Sequence, residues 1–152
     1  EKRITQLGMD NSNAKYLPVP SVLIALNGQG KTRGTVAILK TNATCNQSLV
    51  SISPVSIGEL EIEFLYFILR NMYSYIRDLT GDNQRSGLSM TIIKEIEIPV
   101  PKIEIQKQVV DKLKEEQKAI DICLTLIASQ ENAIRVLISN VWDLKQNNHV
   151  FD

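Results

Sequence analysis

Ser21-Val22-Leu23-Ile24-Ala25-Leu26, then Asn27-Gly28-Gln29-Gly30-Lys31-Thr32-Arg33-Gly34, then Thr35-Val36-Ala37-Ile38-Leu39 is the stretch whose reading decides the fold. Its outer segments are apolar, short and rich in β-branched residues, while the middle is polar and broken by glycine. That pattern predicts strand, loop and strand. Pro18 and Pro20 stand just ahead of the first strand, where a missing ladder donor does no harm. Downstream, Asn42-Ala43-Thr44 turns the chain toward a third strand over 48–52, and Ser53-Pro54 ends it.

Beyond this sheet the period changes. Over 61–79 the residues Ile62, Leu65, Tyr66, Leu69, Met72, Tyr73 and Ile76 recur at three- and four-residue steps, with Glu63, Arg70, Asn71 and Arg77 on the other side. This is the signature of an amphipathic helix. A polar loop follows, Gly81-Asp82-Asn83-Gln84-Arg85-Ser86-Gly87, and then Ile96, Ile98 and Val100 alternate with Glu95, Glu97 and Pro99. The alternation over 92–100 predicts an edge strand, since proline there removes a donor.

From 102 to 145 there is neither glycine nor proline, and apolar residues form a seam at Val109, Leu113, Ile120, Leu124, Ile127, Ile134, Leu137 and Val141. A single helix of that length would run roughly 60 Å, far more than a small domain covers, so part of the seam must meet another helix. Glu116-Gln117 and Gln130-Glu131 interrupt the seam about two heptads apart and suit a register-setting role. A broken pair of ordinary helices is the alternative.

The chain has 152 residues, 43% of them hydrophobic and 22% charged, with 17 basic and 17 acidic side chains. This composition excludes a disordered tail, and no apolar run approaches the roughly 18 to 20 residues that cross a bilayer. A reducing cytoplasm is expected, because Cys45 and Cys123 lie far apart and form neither a disulfide framework nor a Cys-x-x-Cys metal motif. Glu1 reads as the cut end of a longer protein, with no initiator methionine and no basic-then-apolar leader. Between Asp10 and Glu59 there is no acidic residue, whereas Lys15, Lys31, Arg33 and Lys40 all fall there. The segment is either a phosphate-facing surface or a strand-rich region merely poor in charge.

Catalysis finds little support. The single histidine, His149, lies in the tail beyond the long helix, and neither cysteine has a histidine near it. Cys123 falls on an apolar helix face, where a small buried thiol is expected. Glu61/Glu63 and Glu115/Glu116 read as solvated helix faces. Ala25-Leu26-Asn27-Gly28-Gln29-Gly30-Lys31-Thr32 resembles a loosened phosphate-binding loop but lacks its first glycine. Such a loop works by opening directly into a helix after the lysine, and Arg33-Gly34-Thr35-Val36 favours a strand instead. What this loop does offer is close backbone approach at two glycines, with donors on Gln29, Lys31, Thr32 and Arg33 suited to phosphate oxygens or base edges. The second loop, with Arg85, is either similar or an ordinary surface turn.

Several segments in order then resemble a known family. Ile4-Thr5-Gln6-Leu7-Gly8, Asn11-Ser12-Asn13-Ala14-Lys15, Leu17-Pro18, Ser21-Val22-Leu23-Ile24-Ala25, Gly28-Gln29-Gly30-Lys31-Thr32-Arg33-Gly34, Ala43-Thr44-Cys45-Asn46-Gln47-Ser48 and Ile98-Pro99-Val100-Pro101 are similar to the target-recognition domain and following helix of type I restriction-modification specificity subunits. They equally resemble the related domains fused to N6-adenine DNA methyltransferases. Two features depart from the family pattern. The strand-rich stretch with a Gly-Gly-x-Pro-like start lies ahead of the family's Ile-Thr-x-x-Gly segment and is not in this chain, and Ile105-Gln106 stands where a Glu-Gln pair is usual. No Asn-Pro-Pro-aromatic segment, which holds the adenine in amino-methyltransferases, occurs here.

The resemblance implies an α+β chain: a small mixed recognition domain with a short twisted sheet over 1–101, a coiled-coil-type spacer helix over 102–145 and a tail over 146–152. It implies a non-catalytic reader of double-stranded DNA that directs adenine methyltransferase subunits and a restriction and translocation subunit to their target. The chain itself would bind no cofactor; S-adenosylmethionine would belong to the partner or fused methyltransferase. Candidate DNA contacts are Gln29, Lys31, Thr32, Arg33, Asn46, Gln47 and Arg85. Candidate helix-pairing residues are Val109, Leu113, Ile120, Leu124, Ile127 and Ile134, which would meet a second half of the subunit or a second copy of the chain. Two other functions stay open: a helical assembly module with little DNA contact of its own, and a nucleotide-binding protein dependent on Lys31.

Overall fold

The computed structural model describes residues 4–28, 30–56, 58–79 and 88–147, with side chains to 142. It divides into two units, Glu1–Val110 and Asp111–Asp152. The first is α+β. It opens on α1 (Gln6–Asp10), where the Thr5 hydroxyl caps the turn by accepting from the Gly8 N–H at 3.1 Å. Three strands follow, β1 (Ser21–Ala25), β2 (Val36–Leu39) and β3 (Leu49–Ile52). They form one antiparallel sheet in the order β2-β1-β3, so the apolar β1 lies in the middle and carries hydrogen bonds on both edges.

One face of this sheet is covered by α2 (Ile62–Asn71) and α3 (Tyr73–Asp78). Val22, Ile24 and Val50 from the sheet meet Leu65, Leu69 and Ile76 from the helices, and Leu26, Leu88 and Ile93 complete the core. Burying each such aliphatic side chain stabilises the fold by about 1.5–3 kcal/mol, which is why the spacing of apolar residues over 61–79 is decisive. The helix expected there is divided at Met72, whose φ and ψ are −80° and 8°. Backbone bonds still run through the joint, from Met72 N to Ile68 O at 3.0 Å and from Ile76 N to Met72 O at 2.8 Å.

The edge strand expected over 92–100 is not formed. Met90–Lys94 is instead a short helix, α4, capped by Ser89, whose hydroxyl accepts from the Ile92 N–H at 3.2 Å. The sheet among the described residues has only its three strands. Ile96 and Ile98 do point into the core, as their alternation suggests, but Pro99 and Pro101 deny this segment the donors a ladder requires. Apolar alternation recorded burial here, not strand pairing.

The long helix α5 spans Ile103–Asn147 without a break. Its first turns belong to the first unit, where Gln106 and Val110, four residues apart and so on one face, are 0% and 3% exposed. In the second unit Leu113, Ile120, Ile127, Ile134 and Val141 recur every seven residues and are all exposed. Cys123, expected to be buried, is exposed as well, because nothing within its unit covers that side of the helix. Contrary to the sequence reading, one stretch of α5 is just long and apolar enough to cross a bilayer. The polar run Gln130-Glu131-Asn132 and Arg135 inside it suits a helix paired in water better.

Candidate nucleic-acid interface

The β1–β2 loop, the turn before β3 and Leu88 meet at one end of the sheet. Ile24 pairs with Val36 and Ala25 with Leu49, which sets the end of β1 beside the starts of β2 and β3. Just past that end the Leu26 N–H donates to the Ser48 carbonyl at 2.8 Å, and the Leu88 N–H donates to the Leu26 carbonyl at 2.9 Å. The loop after β1, the turn before β3 and Leu88 therefore meet at one point.

The β1–β2 loop is closed by Gly34 N to Ala25 O at 2.9 Å and Ala25 N to Thr35 O at 3.0 Å. Its tip is tightened from within: the Thr35 N–H and hydroxyl both donate to the Thr32 carbonyl, at 3.0 and 2.7 Å. Two glycines make this possible. At Gly28, φ is +129° and a Cβ would stand 2.8 Å from the Thr32 Cβ; at Gly34, φ is +82° and a Cβ would stand 3.2 Å from the Arg77 Cγ. The first lets the loop fold on itself, and the second lets α3 approach it.

That approach supplies a brace. The Tyr73 hydroxyl donates to the Lys31 carbonyl at 2.8 Å, and the Arg77 Nη1 donates to the Arg33 carbonyl at 2.9 Å. Arg77 also lies 5.3 Å from the centroid of the Tyr73 ring, so the two braces steady each other. With its main chain held from behind, the loop presents the exposed side chains of Lys31 and Thr32 outward. Arg33 differs from its neighbour. It is only 8% exposed, so its guanidinium is not displayed to solvent as the Lys31 ammonium is.

In the turn before β3, the Asn46 Oδ1 accepts from the Ser48 N–H at 3.0 Å, and Asn46 and Gln47 are both exposed. The structure thus brings Lys31, Thr32, Asn46 and Gln47 to one end of the sheet. Gln29 and Arg85 lie outside the described residues, as does His149. Sequence reading missed Tyr73 and Arg77, which it assigned separately to the apolar and solvent sides of a helix. The signal was Tyr-x-x-x-Arg occurring twice, Tyr66/Arg70 and Tyr73/Arg77, because residues four apart on a helix stack on one another.

This arrangement can bind a polyanion. It offers an exposed ammonium and a hydroxyl on a pre-shaped loop and amide groups on the turn before β3, and among the described residues no group of three or more His, Cys, Asp or Glu is placed to hold a metal ion. The nucleotide-binding alternative fails on geometry: after Lys31-Thr32 the chain enters β2, so no helix N-terminus points at a phosphate. The candidate pairing residues lie elsewhere. On α5, Val109 and Leu113 are 37% and 38% exposed, and Ile120, Leu124, Ile127 and Ile134 are each more than half exposed.

Residues 2–135 match the family model described as the type I restriction modification DNA specificity domain. Over 111 residues the chain is also 29% identical to the specificity subunit of the type I restriction enzyme MjaIX of Methanocaldococcus jannaschii. That match covers 72% of this chain and 24% of the subunit, so the chain spans about a quarter of this relative's length. With the family model covering most of the chain, from α1 into α5, the protein belongs to the type I restriction modification DNA specificity domain family.

Proposed function

We propose that this chain is a non-catalytic reader of double-stranded DNA in a cytoplasmic type I restriction-modification system, docking through the sheet end that carries the β1–β2 loop. The observation that carries this reading is the brace on that loop: two carbonyls of a glycine-bounded segment are held by α3 while Lys31 and Thr32 face outward. A loop held in advance loses little conformational freedom on binding, which suits recognition. Lys31 contacts phosphate; Thr32, Asn46 and Gln47, with Gln29 and Arg85, are the candidates for base edges and neighbouring phosphates. Arg33 acts chiefly from within the loop, given its burial. Adenine methyltransferase subunits, which would bind S-adenosylmethionine, and a restriction and translocation subunit are the partners this role requires.

The test is duplex binding by the full chain across a salt titration. Lys31→Ala should weaken binding and reduce the slope of log K against log salt by about one unit, the signature of one lost phosphate contact. An unchanged slope removes Lys31 from the interface.

A second reading is favoured by a different observation, the exposed heptad seam of α5. It makes the chain an assembly module that pairs with another helix, from the same subunit, a methyltransferase subunit or a second copy. Leu124→Asp with Ile127→Asp separates the two. Lost assembly with intact DNA binding means both functions reside here, and absence of DNA binding in the unmodified chain leaves assembly alone.

A further inference from the structure

Gln47 stands at the apex of the turn Asn46-Gln47-Ser48-Leu49, which leads into β3. Its neighbours are pinned. The Leu49 N–H donates to the Asn46 carbonyl at 3.4 Å, the Ser48 N–H donates to the Asn46 Oδ1 at 3.0 Å, and the Ser48 carbonyl accepts from the Leu26 N–H at 2.8 Å. On the near flank the half-buried Cys45 thiol donates to the Leu49 carbonyl at 3.8 Å. The turn is thus closed on itself and fastened to the end of the central strand, while the Gln47 side chain is exposed and makes no hydrogen bond among the described residues.

We propose that Gln47 determines specificity by reading one adenine in the major groove, accepting from the base N6 through its Oε1 and donating to N7 through its Nε2; the inference rests on the DNA-reading function above. Chemistry selects the base. Adenine alone presents an acceptor and a donor side by side on its major-groove edge, and an amide that keeps both its own donor and its own acceptor matches that pair. Asn46 serves the turn instead: its Oδ1 is directed back to the Ser48 N–H, so its amide does not present both groups outward. The fastening of the turn is what makes the reading selective, since a side chain on a loose loop would shift to satisfy any base. Lys31, on the loop that meets the turn at the same strand end, adds the grip that is independent of sequence.

The experiment selects bound duplexes from a DNA pool with a randomised central segment, using the full chain unmodified and as Gln47→Ala, Gln47→Glu and Lys31→Ala. The unmodified chain should enrich an adenine at one position, whose replacement by guanine weakens binding about tenfold. Gln47→Ala should erase the preference at that position alone and leave the salt slope as it was. Gln47→Glu, whose carboxylate only accepts, should turn the preference there to cytosine. Lys31→Ala should weaken binding to every sequence and keep the adenine preference. If Gln47→Ala keeps the adenine preference, or removes a preference for another base, the assignment is overturned and the DNA reading stands. Equal weakening of all sequences by Gln47→Ala also overturns it, because a base reader acts at one position, and so does binding by the unmodified chain with no preferred base. If the unmodified chain binds no duplex at all, the DNA reading itself falls and the role of Gln47 with it. Circular dichroism of Gln47→Ala, expected to match the unmodified chain because the side chain is exposed, separates lost preference from lost fold.

Discussion

The side-chain carbonyl of Gln106 accepts from the Glu61 N–H at 2.9 Å, across 45 residues of chain. The same side chain donates through its Nε2 to the carbonyls of Glu59 and Pro101, at 2.8 and 2.7 Å, and is fully buried. One amide therefore ties the first turn of α5 to the lead-in of α2, with all its bonds to main chain. No apolar residue reproduces that.

Gln106→Leu should accordingly be among the most damaging single substitutions in the first unit. It leaves three main-chain groups without their partner, at about 1–3 kcal/mol for each that stays dry. Denaturant unfolding should show a loss of about 3 kcal/mol or more, and a loss below about 1 kcal/mol would mean that water replaces the side chain.

The loop glycines should rank by what surrounds them. Gly28→Ala and Gly34→Ala each combine a positive φ with a close contact, while at Gly30, with φ +69°, a Cβ meets nothing within 4 Å. Gly30→Ala should cost about 1 kcal/mol, and the other two about 2 kcal/mol or more. Thermal unfolding of the three variants checks the order.

Tyr73→Phe removes one hydroxyl and keeps the ring. Stability should fall by about 1 kcal/mol, the usual net value of such a bond. DNA affinity should fall further than folding alone explains, because the Lys31 carbonyl is released and the loop regains freedom. Comparing affinity at a temperature where both proteins are fully folded isolates the second effect.

Leu124→Asp with Ile127→Asp alters side chains that are 58% and 55% exposed. The first unit should keep its unfolding midpoint within about 0.5 kcal/mol, since exposed positions away from its core contribute little. Sedimentation should show the change instead, with assembly lost. A large drop in first-unit stability would mean that this seam is part of that unit's own packing.

How much of this was legible in the residues differs by element. The three strands, the apolar face over 62–76 and the long helix follow from periodicity, because burial imposes a two-residue or a 3.6-residue repeat on the chain itself. Ile92, Ile96 and Ile98 misled for the same reason: they record an inward direction, which a short helix and an extended segment satisfy as well as a strand. Lys31 and Thr32 were legible as donors on a glycine-bounded loop. Local pattern says nothing about contacts between distant residues, so the brace from Tyr73 and Arg77 was not.

The sequence by itself determined the kinds of element, their order and the family, since each of these is written in neighbours along the chain. The tertiary structure alone decided that the loop, the Asn46 turn and Leu88 meet at one end of the sheet, that Arg33 is buried where Lys31 is exposed, and that Tyr73 and Arg77 hold two carbonyls of the loop. Those facts depend on strand register and on how two helices settle onto a sheet. Such choices come from packing complementarity summed over the whole core, which no local stretch of residues contains.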